Sequence, residues 1–150
     1  MKIGIIYCAY NCFSFASESI KPFIQAKKDN LISKISCVSV PFAEYFNIKH
    51  ENDQTTEFLF NLEKQNLIDK VFDEPKYILE HEARDFCLQY LRSNDCDLIW
   101  LVDGDEFYSK DNISKIITVL ILKIIFLMAN NGLMDFVLQE FSEINLKLII

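Results

Sequence analysis

Asp103 and Asp105 flank Gly104 near the end of the run LIWLVDGDEFY, residues 98–108. Five apolar residues lead straight into three acids, Asp103, Asp105 and Glu106. Two carboxylates one residue apart, leaving a rigid buried segment, can share a hard divalent cation. Oxygen ligands suit Mg²⁺ or Mn²⁺, which keep several waters and reach substrate phosphates through one or two protein carboxylates. Gly104 would let backbone and ligand approach closely, and Glu106 adds charge without having to face the same way. The same residues also read as an acidic turn ahead of a helix, with Asp111 and Asn112 to help cap it.

Other acidic motifs fit less well. An EF-hand loop starting at Asp103 would need glycine at its sixth position and glutamate at its twelfth, where Tyr108 and Ser114 stand. A phosphatase-type Asp-x-Asp would follow the first strand, whereas the sequence there is YCAYN.

The elements that must position these acids follow from the apolar patterning. With 150 residues the chain has room for one domain with a sizeable core. Half of it is hydrophobic, which excludes a disordered polymer. A net charge of −7 and a pI near 4.8 argue against nucleic acid as a partner, since no basic patch is present to neutralise phosphates. The five cysteines, at 8, 12, 37, 87 and 96, form no Cys-x-x-Cys pair and mostly sit in or beside apolar runs. They read as reduced core thiols of a cytoplasmic protein rather than zinc ligands. MKIGIIYCAYNCF is too short and too interrupted for a signal peptide, and it reads as a first strand.

KIGIIYCAY is a continuous β-branched run, as expected for a strand buried on both faces. SFASESIKPFIQAKK has helical spacing with a kink expected at Pro22, and ISKISCVSV is a strand closed by Pro41. NDQTTEFLFNLEKQN reads as a helix that Asp53 could cap, and DKVFD as a short strand. The plainest helix is PKYILEHEARDFCLQYLRSND, with Leu79, Ala83, Phe86, Cys87, Tyr90 and Leu91 on one stripe. CDLIWLVD is a buried strand, and SKDNISKIITVLILKII opens a last helix with Asp111 or Asn112 as its cap. The apolar run 116–129 contains Lys123 and falls short of the ~20 residues that cross a bilayer, so a buried element is expected. Strands alternating with helices imply an α/β fold with a mostly parallel sheet flanked by helices. Ligands of such sheets sit beyond the carboxyl ends of the strands, where Asp103 and Asp105 would lie.

Three stretches, IGIIYCAYN on the first strand, EHEARDF on the third helix and IWLVDGDEFY on the fourth strand, resemble in order and spacing the family 2 glycosyltransferases of the GT-A fold. The resemblance covers roughly residues 1–118. It implies a Rossmann-like, nucleotide-sugar-binding GT-A domain over 1–118, incomplete at the C-terminus, with an apolar helical tail over 119–150. It further implies that Asp103 and Asp105 hold Mg²⁺ or Mn²⁺ and, with it, the diphosphate of a nucleotide-sugar donor. Arg84 would bind the nucleotide or its phosphates, and Tyr10 and Asn11 would lie beside the nucleotide. The sugar would pass to an acceptor of unspecified class: glycan, lipid or protein.

Simpler readings stand beside these roles. Glu80 and Arg84 have the spacing of a helix-surface ion pair, as do His81 and Asp85, and Tyr10 and Asn11 could only make a turn. Asp53 stands either near the family's nucleotide-contacting acid or at a helix cap.

Beyond the Asp-x-Asp, family members carry an acceptor region and usually a catalytic base. Residues 119–150 contain no obvious equivalent: Glu140 and Glu143 fall on an expected amphipathic helix, and Asp135 lies beyond a turn. The catalytic residue is therefore unassigned. Two alternatives to a working transferase follow: an inactive remnant or interaction module, and a protein anchored peripherally to a membrane through residues 113–129. The apolar tail would also suit self-association.

Overall fold

The computed structural model describes residues 1–45, 53–74, 76–129 and 147–149. Four strands, β1 (Ile3–Cys8), β2 (Lys34–Ser39), β3 (Lys70–Asp73) and β4 (Leu98–Asp103), form a parallel sheet in the spatial order β3-β2-β1-β4. A short β5 (Lys147–Ile149) adds to β4 antiparallel, so the end of the expected helical tail includes a strand. The α/β fold with its mostly parallel sheet is as the sequence predicts.

The period-2 alternation of the central strands sorts their side chains onto two faces. Ile3, Ile5 and Tyr7 of β1, with Leu98, Trp100 and Val102 of β4, pack into one core. That core is covered by α1 (Phe13–Ser19), α2 (Lys21–Lys28), α3 (Thr55–Lys64) and α5 (Lys110–Ala129). Ile6 and Cys8, with Ile99 and Leu101, face α4 (Glu80–Ser93) on the other side. Burial on both faces explains why β1 and β4 read as continuous apolar runs. Gly4 lets α4 approach closely, since a Cβ there would lie 3.0 Å from a Leu91 methyl and 3.1 Å from Cys96 Sγ.

Pro22 acts as expected. The helical stretch is divided at Ile20, and the proline sits in the first turn of α2, where its missing N–H costs nothing. Ser36 and Ser39 of β2 are buried, and Ser39 shares a hydrogen bond of 2.8 Å with Thr56. Two expectations need adjustment. The buried stripe of α4 is limited to Ala83, Cys87 and Leu91, while Phe86 stacks on Phe72 at the sheet edge. At the start of α5 the cap is Ser109, whose Oγ accepts the Asn112 N–H at 3.1 Å, and Asp111 stands inside the first turn. Helix α5 continues past residue 118 to Ala129 and buries Ile113, Ile117 and Leu120 at helical spacing.

All five cysteines are free, with Cys12 half-buried and the others buried. Burial pushes the Cys37 and Cys87 thiols well up, so they behave as small hydrophobes. Among the described residues no helix is long and apolar enough to cross a membrane. Asp135, Glu140 and Glu143 lie outside the described residues.

Candidate functional site

The chain lays down β1, β2 and β3 outward in one direction, then returns to place β4 on the opposite side of β1. The sheet's switch point therefore lies between β1 and β4, where α/β sheets open a crevice beyond their carboxyl ends. Cys8 and Asp103, the last residues of these two strands, are partners in the register. The acidic turn thus emerges at the switch point.

Several contacts hold that turn in place. The Gly104 N–H donates to the Cys8 carbonyl at 2.7 Å, extending the β1–β4 ladder by one bond. Its carbonyl accepts the Ser19 hydroxyl at 2.6 Å, and Tyr7 Oη lies 2.6 Å from Ser19 Oγ and 3.4 Å from the same carbonyl. Burial drives the Tyr7 hydroxyl far above its ordinary pKa, so it stays a neutral hydrogen-bonding group. The expected use of Gly104 was a close approach to a ligand. What the glycine admits is the protein itself: a Cβ would stand 2.8 Å from Ala9 Cβ and 3.1 Å from Cys12 Sγ. Glu106 folds back, its carboxylate accepting the Asp103 N–H at 3.2 Å, and so it caps the turn.

Arg84 joins two of the sequence readings in one geometry. Its guanidinium pairs with Glu80 one helical turn earlier, and also reaches Asp103 Oδ1 at 3.2 Å, 19 residues away. Burial opposes the charge, but Cys8, Glu80 and Asp103 outweigh it and the group is held firmly cationic. Burial also pushes the adjacent Cys8 thiol up to about 12, with Arg84 pulling the other way. Arg84 Nε is buried without a hydrogen-bond partner among the described residues. A guanidinium held by two carboxylates at a cleft wall can still offer its other N–H donors to an anionic ligand.

Around this pair lies an open cleft of about 400 Å³ lined by Tyr10, Glu80, Arg84, Asp103 and Asp105, with Phe15 at one side. A second recess of about 290 Å³ is lined by Tyr10, Asn11, Ser39, Asp53, Thr56 and Asp73. Tyr10 borders both spaces. Asn11 takes a left-handed backbone, φ 53°, as a turn after a strand requires, and its Oδ1 is buried without a partner among the described residues. Asp53 is drawn into capping: it accepts the Thr55 N–H at 3.1 Å at the start of α3 and the Phe13 N–H at 2.6 Å at the start of α1. Burial raises its pKa, but these hydrogen bonds prevail and hold the carboxyl below its ordinary value. His81 and Asp85 are exposed on α4, away from the cleft lining.

Asp103 and Asp105 both line the cleft, with Asp105 exposed. Among the described residues no group of three or more His, Cys, Asp or Glu is placed to hold a metal on its own. A two-carboxylate set fits a cation that fills its shell with water and phosphate oxygens, as Mg²⁺ and Mn²⁺ do. Sequence reasoning missed the groups that position the acids, Ser19 and Tyr7. Their nearest signal was the helical spacing of Ser19 with Phe15 and Phe23, which read only as a packing stripe.

Taken together, sheet order, helix layers and switch-point crevice define a Rossmann-like GT-A fold. Solved structures with this arrangement include S. aureus TarS 1–349, at a TM-score of 0.53 and 16% identity. That match covers 79% of this chain and 32% of TarS 1–349. The complex of the same protein with UDP-GlcNAc matches at a TM-score of 0.52 and 16% identity, over 79% of this chain and 30% of that one. Its complex with UDP matches at 0.51 and 17% identity, over 79% and 31%. No family model and no curated protein sequence matches the chain.

Proposed function

We propose that this chain binds a nucleoside-diphosphate sugar at the β1–β4 switch point and serves as the donor-binding part of a glycosyltransferase. The observation that carries the proposal is the meeting of Arg84 with Asp103 at 3.2 Å, in a cleft that Asp105 also lines. Support also comes from the TarS complexes with UDP-GlcNAc and UDP, which share the fold.

Asp103 and Asp105 would hold Mg²⁺ or Mn²⁺, which when bound supplies Lewis-acid stabilisation of the leaving diphosphate. Arg84 would add a fixed positive charge to the same phosphates, already oriented by Glu80. Tyr10 and Asn11, which both line the second recess, would lie against the nucleoside. The Ser19–Gly104 bond would keep the acids from yielding as ligand binds. The acceptor would be a hydroxyl-bearing glycan, lipid or protein.

One observation favours a second reading, donor binding without turnover. Among the described residues the acids lining the cleft are Glu80, Asp103 and Asp105, and Glu80 is ion-paired to Arg84. No acid is left over there for a base. Calorimetry with UDP and GDP, each with and without Mn²⁺, tests the binding proposal. Metal-dependent binding of either nucleotide, lost in Asp105→Ala, is expected; no metal-dependent binding to any nucleoside diphosphate sinks it. Sugar transfer or donor hydrolysis that disappears in Asp105→Ala then separates a transferase from a binding module.

A further inference from the structure

Phe15 is 50% exposed and Phe107 is 59% exposed, yet their rings touch, with centroids 6.3 Å apart and planes at 72°. Scattered apolar side chains on a surface need no explanation. This pair differs because it is assembled from two elements and borders the site. Phe15 projects from α1 and lines the cleft with Asp105, while Phe107 lies two residues beyond Asp105. Its neighbour Tyr108 is drawn into the core, packing edge-on against Trp100 at 5.1 Å and Phe23 at 5.6 Å. The segment after the acids therefore sends one aromatic inward and leaves the other exposed against Phe15, which lines the cleft.

An edge-to-face pair covers one ring face of four, so stacking surface remains. The C–H bonds of a pyranose carry partial positive charge and pack on the negative face of a phenyl ring. Its hydroxyls then need hydrogen-bond partners, and the exposed Asp105 carboxylate borders the same space. A wholly apolar ligand would strip water from that carboxylate without replacing its hydrogen bonds.

We propose that Phe15 and Phe107 form a stacking platform for a pyranose ring at the cleft mouth. The ring belongs either to the donor sugar or to a glycan acceptor, and the platform's place in a reaction rests on the donor-binding reading above.

The test uses the full chain in calorimetry and saturation-transfer NMR, with three probes. These are UDP with Mn²⁺, UDP-GlcNAc with Mn²⁺, and cellobiose or chitobiose in the presence of UDP and Mn²⁺. The double variant Phe15→Ala/Phe107→Ala should melt like the parent and keep its UDP affinity to within about twofold. It should lose about fivefold in affinity for UDP-GlcNAc if the donor sugar stacks, or for the disaccharides if the acceptor does. Phe15→Trp/Phe107→Tyr should restore the lost affinity. Unchanged sugar affinity in both arms overturns the platform and leaves nucleotide binding standing. A parent protein that binds no pyranose in either arm overturns it as well. Absence of UDP binding sinks only the nucleotide reading, and the disaccharide arm then decides the platform alone.

Discussion

The Ser19 hydroxyl donates to the Gly104 carbonyl at 2.6 Å across 85 residues of sequence, and both groups are buried. This bond fastens the acidic turn to the end of α1, so the positions of Asp103 and Asp105 depend on a helix that carries no acid into the cleft. In Ser19→Ala the Gly104 carbonyl keeps only the longer contact with Tyr7 Oη, at 3.4 Å. The expected loss is about 1–3 kcal/mol, a fall in Tm of several degrees for a chain of this size. Thermal melting checks it; an unchanged Tm would show that the bond contributes nothing.

Gly104→Ala tests the close approach of the turn to β1. A Cβ 2.8 Å from Ala9 Cβ and 3.2 Å from the Cys8 carbonyl forces the turn outward. Destabilisation of about 1–3 kcal/mol is expected from overpacking. Metal-dependent nucleotide binding should weaken by more than the stability loss explains, because both carboxylates move. Calorimetry on the folded variant reads this directly, and full affinity there would dissociate the turn's position from binding.

Arg84→Lys should be a poor replacement despite its charge. Both contacts come from one guanidinium nitrogen, Nη2, and a shorter, more strongly hydrated ammonium that takes its place leaves the remaining guanidinium donors unreplaced. Nucleoside-diphosphate affinity should drop about tenfold, while the circular dichroism spectrum stays that of the parent. Parent-like affinity would mean that Arg84 serves only the ion pair on α4.

Asp69 predicts an acid-sensitive fold away from the site. Its carboxylate accepts Lys27 Nζ at 2.5 Å, Lys34 Nζ at 3.0 Å and the Ile35 N–H at 2.8 Å. Burial raises its pKa, but these donors outweigh burial and hold it below the ordinary value. A depressed carboxyl contributes stability that is present above the unfolded-state pKa of about 4 and is lost as pH falls through the folded value. Urea titrations between neutral and acid pH should therefore show a decline that is shallower in Asp69→Asn. The variant should also be about 2 kcal/mol less stable at neutral pH, since two half-buried lysines lose their partner.

The thiols should be slow to react in the folded state. Burial raises Cys12 to about 11 and Cys8 to about 12, so neither supplies much thiolate at mild pH. Titration with a thiol reagent near pH 8 should give little reaction until denaturant is added, when all five cysteines react. Rapid native modification of Cys12 would show that the cleft exposes it more than its half-burial implies.

Much of the architecture was already determined by the order of residues. Continuous β-branched runs can be satisfied only by strands buried on both faces, and their alternation with amphipathic helices leaves a parallel sheet as the arrangement that buries both. The Asp-Gly-Asp at the end of β4 was legible for the same reason, because a strand that ends in acids must deliver them to the sheet's edge. Caps were less legible: Ser109 rather than Asp111 or Asn112 starts α5, a difference of two or three residues that local preference does not resolve. Only the tertiary structure decided which acids share a cleft and what holds them. The spatial order β3-β2-β1-β4 sets Cys8 beside Asp103, brings Arg84 from α4 to the same point and lets Ser19 reach Gly104. These are contacts between residues up to 95 positions apart, Cys8 and Asp103 being the farthest. Sequence spacing encodes neighbours one helical turn or one strand step away, whereas those contacts arise from how the layers close over the core.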